Sequence, residues 1–447
     1  MRYNALDLET RLKDVLRNRF PKGDETMQPQ AAIAGILGTA TENLRQTALR
    51  LKLQDQMYRK LAAPLERIES TVNPMLSDGK MVHVRTFLVR HNDAIGPAKG
   101  GIRMTESVTI DDVTGLAMEM TWKCSLIGVP FGGGKSGIAC DPARLSPADK
   151  ETIIRSFTRG ARRHIGPEVY IPAPDMGTNQ ADMGHIRDCI SYSEGISITK
   201  GCYVTGKPVI LGGIVGRTEA TGKGVVFSLK AACERQNMRL EGARVAVQGL
   251  GNVGGVAAQE IVKHGAVIVA AEDITGAVTD RQGLDVAALM EHVRQTGGIK
   301  GFSGGKTMPR EKFFETDCDI LIPAAAGSQI TEKNAGGIRA KIIAEGANAP
   351  TTPGGDEILN SRGVFVIPDI LCNAGGVFVS YLEYTQETQR EQMTLQVVER
   401  RLEERMNDRF AEVFEYGSRK RIPMRYAAMD IAVSKVVEAV QVRGLLP

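Results

Sequence analysis

Residues 243–273, ARVAVQGLGNVGGVAAQEIVKHGAVIVAAED, contain the pattern that decides the fold of this chain. An apolar run, ARVAVQ, is followed by a glycine turn, then by a segment with apolar residues at helical spacing, and then by a second apolar run, AVIVAAED. Strand, glycine turn, helix and strand in this order are typical of a parallel sheet with helices on both faces. The sequence therefore predicts a doubly wound α/β domain around these residues.

Three glycines in the turn have the spacing G-x-G-x-x-G. Gly249, Gly251 and Gly254 follow a predicted strand and open a predicted helix, which is the context in which this motif binds a dinucleotide. The glycines allow a tight turn and the close approach of a pyrophosphate, and the helix N-terminus supplies amide donors. A close strand-to-helix crossing without any ligand is the alternative interpretation. The motif predicts a Rossmann-like cofactor domain.

Two acidic residues end the second predicted strand of this unit. Glu272 and Asp273 lie about 20 residues beyond the glycine motif, where a carboxylate accepts hydrogen bonds from ribose hydroxyls. A carboxylate at this position repels the 2′-phosphate of NADP, so the pair favours NAD. NADP stays open because basic residues from elsewhere in the chain can offset the acidic charge. Either of the two acids could face the ribose.

The length of the chain indicates more than one domain. Its 447 residues exceed the roughly 250 to 300 residues at which a single core stops growing. The alternation of strands and helices begins near residue 210, and the later apolar runs DILIPAA, KIIAEGA and VFVIPDI suit buried parallel strands. From Gly376 onward the pattern is helical. We therefore expect a domain boundary near residue 210.

The first half of the chain has weaker secondary-structure signals. Residues 4–20 and 42–62 carry apolar residues at helical spacing, and residues 21–38 between them are predicted to form a loop or arm. Residues 81–89, MVHVRTFLV, alternate in the manner of a strand, and residues 111–128 have a partly helical pattern. These elements predict an α/β arrangement here as well.

The composition excludes several classes of protein. The chain has 56 Lys and Arg against 52 Asp and Glu, and the basic residues are dispersed, so nucleic-acid binding has no support. No stretch approaches the ~20 apolar residues that span a bilayer. The seven cysteines form neither a CxxC motif nor a Cys/His cluster. This pattern indicates reduced thiols in a cytoplasmic protein, no membrane association and no metal site.

Three lysines in the first half stand in unusual surroundings. Lys99 occurs in GPAKGGIR, Lys123 in TWKCS and Lys135 in VPFGGGKSG, although lysine is normally a solvated surface residue. Taken singly, each could be a snorkelling or ion-paired side chain. Together the three ammonium groups could form a pocket for a dianion.

The run GGGKS resembles a phosphate-binding P-loop, but its spacing is wrong. That motif requires a glycine five residues before the glycine that precedes the lysine, and Val129 stands there. Gly128 is one residue out of register. Nucleotide hydrolysis is therefore a poor interpretation of this segment.

A lysine and an aspartate together suit the oxidation of an amino acid beside a nicotinamide. A lysine that is held near other cations and away from water exchanges protons near neutral pH, so it can activate water. An acid must also exchange protons with the departing nitrogen. Asp175, in YIPAPDMGTN, is the candidate because a Pro-rich segment fixes it. An Asx-turn residue that caps the next element is the alternative interpretation.

The order of these motifs resembles that of the glutamate dehydrogenase family of Glu/Leu/Phe/Val amino-acid dehydrogenases. The matching segments run from about residue 80 to the C-terminus: KGGIR, TWKC, VPFGGGKSGI, PAPDMGT, RTEATGKG, VQGLGNVG, EGANAPTT and CNAGGVFVSYLE. The spacings between the lysines and the aspartate also look like those of the family. The whole series is more specific than any one of its motifs.

The resemblance implies a role for each principal residue. Lys135 would activate the water, and Asp175 would exchange protons with the amino nitrogen. Lys123 would hold the substrate α-carboxylate, while Lys99 and Ser380 would bind the side-chain carboxylate of glutamate. Family members that act on apolar amino acids carry an apolar residue in place of Lys99, so this position implies glutamate as the substrate.

The resemblance also implies a set of secondary positions. Some would line the substrate pocket, although small residues there could equally serve packing: Gly100, Ala173 and Val377. Others would meet the cofactor or the reacting centre, besides the glycine motif and the acidic pair: Thr221, Asn252, Val253, Ala325, Asn348 and Asn373.

The domain organisation follows from the same resemblance. Residues 1–209 would form an N-terminal α/β domain for substrate binding and oligomerisation, and residues 425–447 would return to it as a C-terminal helix. Residues 210–424 would form the Rossmann-like dinucleotide-binding domain. The implied reaction interconverts L-glutamate with 2-oxoglutarate and ammonia, in a homo-oligomer that is usually a hexamer.

Two alternatives stay open at this point. The first is a leucine, phenylalanine or valine dehydrogenase, against which Lys99 and Ser380 argue. The second is a nucleotide-sensing protein without turnover, which would be expected to have lost Lys135 or Asp175. The chain retains both residues.

Overall fold

The computed structural model describes residues 35–195 and 201–444. These residues form two compact units. The first unit takes the described residues of Met1–Val215, Ser380–Thr394 and Met429–Pro447. The second unit takes Gly216–Val379 and Leu395–Ala428.

The unit boundaries differ in three places from the domains expected from the sequence, the smallest being that the C-terminal return begins at Met429 and not at residue 425. The first unit extends to Val215, and it also contains Ser380–Thr394, which the sequence placed in the second domain. This second difference arises because one continuous helix, Gly375–Gln389, contributes residues to both units. The helix expected at residues 4–20 lies outside the described residues.

The first unit contains a five-stranded mixed sheet. Its strands are β1 (Glu66–Val72), β2 (Val84–Asn92), β3 (Ala98–Met104), β4 (Gly132–Ile138) and β5 (Tyr170–Pro174). Its helices before residue 200 are α1 (Gly35–Leu51), α2 (Asp55–Ala62), α3 (Ile110–Ile127), α4 (Pro147–Gly160) and α5 (Gln180–Glu194). The strand order is β1-β2-β4-β3-β5, with β3 parallel to both β4 and β5 and the remaining pairs antiparallel. The parallel strands place the starts of β3, β4 and β5 at one edge.

The N-terminal helical segment differs from its prediction. In place of one helix over residues 42–62 there are α1 and α2, which are separated at Lys52, a residue with a left-handed φ of 53°. Helix α1 also begins earlier, at Gly35, inside the predicted loop. It packs closely on α3, because a Cβ at Gly115 would lie only 2.7 Å from the Leu37 nitrogen. This tertiary contact extends the helix beyond its sequence signal.

The strand predicted at residues 81–89 is β2, with shifted ends. It starts at Val84 and continues to Asn92. Met81 instead pairs with Met75 in an isolated antiparallel bridge. The alternating pattern therefore identified the strand but placed it about three residues too early.

Helix α3 lies against the glycine-rich strand β4. The helix starts with a capping box between Thr109 and Asp112 and ends at Gly128, which has a left-handed φ of 75°. A Cβ at Gly133 would lie 2.1 Å from the Thr121 Oγ1 atom, so only glycine lets the helix approach the strand this closely. The elements that carry Lys123 and Lys135 are thereby brought into contact.

The second unit is built on a seven-stranded sheet. Its strands are β6 (Arg244–Gln248), β7 (Val267–Asp273), β8 (Gly276–Thr279), β9 (Lys306–Met308), β10 (Ile320–Pro323), β11 (Ile342–Ala344) and β12 (Phe365–Ile367). Its helices are α6 (Ala220–Arg235), α7 (Gly254–Val262), α8 (Val286–Thr296), α9 (Pro353–Ser361), α10 (Asp369–Cys372) and α12 (Leu395–Lys420). Helices α11 (Gly375–Gln389) and α13 (Met424–Arg443) begin in this unit and end in the first.

The sheet order confirms the predicted doubly wound fold. The strands run in the order β12-β11-β10-β6-β7-β8-β9, and β12, β11, β10, β6 and β7 are mutually parallel. The chain leaves β6 toward β7 and later returns to its other side as β10, so the strand order reverses at β6. The antiparallel edge formed by β8 and β9 was not predicted. Their short runs carry too little pattern to identify a strand.

A buried cation in the second unit fixes the loop after β11. The Arg425 guanidinium lies 2.6 Å from Glu345, 3.1 Å from Asp356 and 3.5 Å from Asp369. Asp369 in turn accepts a hydrogen bond from the Ala349 backbone N–H at 2.8 Å. Removing one partner from a buried charged group is strongly destabilising. The cluster therefore holds the segment that carries Asn348 in one conformation.

Within the part of the chain that the structure describes, no helix combines the length and apolarity needed to cross a bilayer.

Candidate active site

A buried lysine and aspartate form the centre of the site in the first unit. The Lys135 Nζ atom lies 2.9 Å from Asp175 Oδ2, and the Arg103 Nε atom lies 3.1 Å from the same oxygen. The side chains of these three residues are 5%, 18% and 17% exposed, respectively. One carboxylate is therefore shared by two cations in a largely dry environment.

The sheet register explains why these side chains meet. Lys135 is on β4, Arg103 is on the neighbouring strand β3, and Asp175 directly follows β5 on the other side of β3. The carboxylate reaches across β3 at Gly101, where a Cβ would lie 2.6 Å from the Asp175 Cβ. Because alternate residues of a strand face one side of a sheet, Lys99, Gly101 and Arg103 share a face. The glycine makes room for the aspartate between the two cations.

Burial and neighbouring charges shift the proton affinity of Lys135. Burial lowers its pKa most, the Asp175 carboxylate opposes that change, and the cations Arg103 and Lys123 lower the pKa further. The resulting pKa of Lys135 lies below the ordinary lysine value. A lysine in this state can become a neutral base at a pH where a solvated lysine stays charged.

Asp175 stays ionised in spite of its burial. Burial would raise its pKa, but the Lys135 and Arg103 cations outweigh that effect and hold the pKa below its usual value. Asp175 also does not cap the next helix, because the N-cap of α5 is Asn179. The Asx-turn alternative therefore does not describe this carboxylate, whose oxygen faces two cations.

Three further candidates in the first unit are also buried. Lys99, Lys123 and Ser380 are 2%, 6% and 2% exposed. Lys99 and Lys123 both act electrostatically on the Cys124 thiol, whose pKa burial raises to about 12 against their opposing effect. Lys123 also acts on Lys135. The lysines thus form one cationic region, which is suited to binding an anion.

Two of the predicted wall residues lie beside these groups. Gly100 neighbours Lys99 on β3, and its carbonyl accepts a hydrogen bond from the Tyr170 hydroxyl at 3.1 Å. Ala173 on β5 is in register with Gly101. The third, Val377, belongs to the second unit.

The predicted cofactor residues gather at one edge of the second sheet. The glycine motif follows β6, Glu272 is the last residue but one of β7, Ala325 follows β10 and Asn348 follows β11. Because these strands are parallel, their carboxyl ends lie at the same edge, beside the point where the strand order reverses. Open α/β sheets bind their ligands at this place.

Glycine stands at the three positions of the motif for different local reasons. Gly249 has a left-handed φ of 87°, and a Cβ at Gly254 would lie 1.9 Å from the Gly249 carbonyl oxygen. A Cβ at Gly251 would meet no heavy atom of the chain within 4 Å, and Asn252 beside it is exposed. The turn and the strand-to-helix crossing thus require the outer glycines. The middle glycine leaves the backbone accessible to a pyrophosphate.

The two acids at the end of β7 have different surroundings. The Asp273 carboxylate accepts backbone hydrogen bonds from Thr275 at 2.7 Å, Gly276 at 3.2 Å and Ile299 at 2.7 Å, so it holds the local turn together. Glu272 instead lies 2.9 Å from the Arg310 Nε atom.

A buried glutamine completes the surroundings of Glu272. The Gln248 side chain donates to the Glu272 carboxylate at 3.1 Å. Burial raises the pKa of Glu272, and the bonds from Arg310 and Gln248 oppose that change. Arg310 therefore pairs with one of the two acids that the sequence took to favour NAD.

The remaining predicted cofactor positions surround the start of α11. The Asn373 side-chain amide donates to Asn348 Oδ1 at 3.0 Å. A Cβ at Gly376 would lie 2.5 Å from the Thr221 Oγ1 atom. Val253 is the N-cap of α7. Helix α6, the loop after β11 and helix α11 therefore meet at these positions.

Family models match most of the chain. Residues 64–192 match the model described as Glu/Leu/Phe/Val dehydrogenase, dimerisation domain, and residues 212–444 match Glutamate/Leucine/Phenylalanine/Valine dehydrogenase. The chain belongs to the Glu/Leu/Phe/Val dehydrogenase family. Membership of this family makes the protein an amino-acid dehydrogenase.

Several relatives within the family match nearly their whole length. The NAD-specific glutamate dehydrogenase of Staphylococcus aureus (strain COL) is 38% identical over 91% of this chain and 98% of that relative. The solved structure of a hetero-hexameric glutamate dehydrogenase from Thermus thermophilus (Leu bound form) has a TM-score of 0.88 at 32% identity, and covers 95% of this chain and 100% of that chain. The glutamate dehydrogenase of Peptoniphilus asaccharolyticus has a TM-score of 0.80 at 32% identity, with 92% and 100% covered.

Three site residues were missed from the sequence. Arg103 stands in the quoted motif KGGIR, and strand alternation from Lys99 would have placed it on the same face. Gln248 is the last residue of β6, where its side chain reaches the neighbouring strand end. No sequence signal connects Arg310 with Glu272, because a long segment separates them.

Among the described residues there is no cluster of His, Cys, Asp and Glu suited to a metal.

We predict opposite shifts in the pH profile when the two partners of Lys135 are changed. Arg103→Gln removes a cation that lowers the Lys135 pKa, so the rising limb of kcat/KM for amino-acid oxidation should move to higher pH. Asp175→Asn removes the anion that raises this pKa, so the limb of its residual activity should move to lower pH. The measurement is kcat/KM against pH for the two variants and the unmodified protein. Shifts of the same sign in both variants would remove Lys135 as the titrating group.

Proposed function

We propose that the protein is a glutamate dehydrogenase, which uses NAD to interconvert L-glutamate with 2-oxoglutarate and ammonia. The observation that carries the proposal is the buried Asp175 carboxylate between Lys135 and Arg103, in a unit that also buries Lys99 and Lys123. A site of this kind binds a dianion and exchanges protons. The similarity to glutamate dehydrogenases over nearly the whole chain supports the same conclusion.

The two carboxylates of glutamate would be bound by different groups. Lys123 would hold the α-carboxylate, while Lys99 and the hydroxyl of Ser380 would bind the side-chain carboxylate. Lys99 and Ser380 are buried, so an apolar substrate side chain would offer neither charge nor acceptor to these polar groups, which disfavours it strongly. Within the first unit, Gly100 and Ala173 would form the remaining pocket wall.

The chemistry of this chain is proton transfer at two atoms. NAD, when bound, would supply the hydride acceptor for the substrate Cα, and the residues of this chain would act on the resulting substrate iminium. The neutral Lys135 amine takes a proton from a water molecule as the water oxygen adds to the substrate Cα. Asp175 exchanges a proton with the substrate nitrogen, which departs as ammonia. The overall change is glutamate, NAD⁺ and water to 2-oxoglutarate, ammonium, NADH and a proton.

The second unit would bind the NAD molecule. The pyrophosphate would lie on the glycine turn at the start of α7, where the backbone is accessible at Gly251. Of the two acids, Glu272 would accept the ribose hydroxyls, since among the described residues its carboxylate receives only the two side-chain donors Arg310 and Gln248, whereas the Asp273 carboxylate receives three backbone donors. The positions proposed to meet the cofactor are Thr221, Gly249, Gly251, Asn252, Val253, Gly254, Glu272, Ala325, Asn348 and Asn373, with Asp273 holding the turn beside them.

Assembly and location are parts of the same proposal. We propose a homohexamer that assembles through the first unit, because residues 64–192 match a dimerisation domain and a solved relative is hexameric. The first unit would bind substrate with the returning C-terminal helix, and the second would bind NAD. All seven cysteines are free thiols, which suits a cytoplasmic protein.

Reductive amination by the purified protein tests this function. We expect ammonium and 2-oxoglutarate to be consumed with NADH much faster than with NADPH, and much faster than the oxo acids of leucine or phenylalanine. Preference for an apolar oxo acid would identify one of the other family activities. Binding of NADH without turnover of any oxo acid would instead indicate a nucleotide-sensing protein.

The substitution Lys99→Leu tests the assignment of the substrate. Loss of a buried charged donor should lower kcat/KM for 2-oxoglutarate by about 100- to 1000-fold. The value for the oxo acid of leucine should change little or increase, because the buried ammonium is replaced by an apolar side chain. The matched control is Lys80→Leu, which removes a lysine that is 80% exposed in the same unit. Equal losses for both oxo acids would show that Lys99 is structural.

A further inference from the structure

A buried ion cluster in the first unit has no place in the proposed chemistry. The Lys207 Nζ atom lies 2.7 Å from Glu383 Oε1, 2.8 Å from Glu387 Oε2 and 2.5 Å from the Val204 carbonyl oxygen. The side chains of Lys207 and Glu383 are fully buried. Arg187 stands 3.9 Å from Glu387, so two cations face two anions. Because a buried ion pair adds little net stability, stability alone does not explain this cluster. Its position in the fold suggests another role.

Glu383 joins helix α11 to the end of β5. Its carboxylate accepts hydrogen bonds from the backbone N–H groups of Gly206 at 2.8 Å and Lys207 at 3.3 Å. The preceding Thr205 N–H donates to the Pro172 carbonyl on β5 at 3.0 Å. A Cβ at Gly206 would lie 2.4 Å from the Pro174 side chain, so the loop lies directly against the strand end. Asp175 is the next residue of the chain.

The same turn of α11 is also fixed from the side of β4. The Tyr381 and Tyr384 rings make edge contacts with Phe131, with ring centroids 6.0 and 5.2 Å apart. Phe131 immediately precedes β4, which carries Lys135. Helix α11 is therefore held between the segments that lead to the lysine and to the aspartate.

Ser380 lies one helical turn before Glu383 on α11. Residues three apart on an α-helix lie on the same side, one turn above each other. A carboxylate that is fixed by two backbone donors and a buried ammonium allows the helix neither to slide nor to rotate freely. The position of Ser380 relative to β4 and β5 depends directly on this anchor.

We propose that Lys207 and Glu383 form a positioning pair that holds Ser380 in place and so sets the preference for a substrate with a second carboxylate. This inference rests on the proposed function, in which Ser380 binds only the side-chain carboxylate. Neither member of the pair touches the substrate. Weakening the pair should therefore harm a dicarboxylate substrate and leave a monocarboxylate of the same length nearly unaffected.

The variant Glu383→Gln tests the pair, because it keeps the shape of the side chain and removes its charge. We expect kcat/KM for 2-oxoglutarate to fall about 10- to 100-fold through an increase in KM, as expected for a small displacement of a binding group. The value for 2-oxopentanoate and the dissociation constant of NADH should each change less than about twofold. A purely structural role would lower both oxo-acid values by the same factor, which would overturn the proposal.

The matched control is Asp430→Asn in the same unit. Asp430 is also a buried carboxylate, 5% exposed and paired at 2.8 Å with the Arg50 guanidinium. Its loss should leave the ratio of the two oxo-acid values unchanged. A change in this ratio equal to that of Glu383→Gln would overturn the proposal, because any buried charge would then have the effect.

A second variant covers the possibility that Glu383→Gln does not fold. Glu383→Asp keeps the charge and shortens the side chain, so it should shift the ratio in the same direction. If neither variant folds, the pair is a folding requirement and the proposal is overturned. If the unmodified protein does not use 2-oxoglutarate, the proposed function fails. An active protein with an unchanged ratio in the variants overturns only the positioning role.

Discussion

The structure of the candidate site depends on one shared carboxylate. Asp175 lies between Lys135 and Arg103, and this arrangement keeps two buried cations in place while the aspartate stays ionised. Without that anion the cations would repel one another in a dry environment, where charges interact more strongly than in water. The glycines of β3 and β4 serve the same arrangement, because Gly101 admits the aspartate and Gly133 admits helix α3.

The two units use the same structural features to build their sites. In each, parallel strands bring distant residues to one edge of a sheet, and glycines allow a close approach that a side chain would block. Under the proposed function, the buried lysines of the first unit bind an anionic substrate, and the accessible backbone turn and acid of the second unit bind NAD. Buried ion clusters around Arg425 and Lys207 fix the loop after β11 and the helix that carries Ser380.

The sequence predicted the regular parts of this arrangement well and the long-range ones poorly. The strand, glycine turn and helix around Gly249 are local patterns, so the doubly wound fold could be predicted. Motif order also predicted Lys135 and Asp175, which the structure places in contact. Arg103 could have been found by strand alternation, whereas the contact of Arg310 with Glu272 joins residues far apart in the chain. The early start of α1 depends on packing against Gly115, which no local pattern contains.

The most direct test of the account is turnover by the Lys135→Ala variant, measured together with NADH binding. The account predicts that turnover of 2-oxoglutarate is lost, while the dissociation constant of NADH stays within about twofold of the unmodified protein. The fold should persist because Arg103 still pairs with Asp175, and Lys80→Ala provides an exposed control in the same unit. Retained turnover in Lys135→Ala would contradict the central claim that this buried amine activates the water.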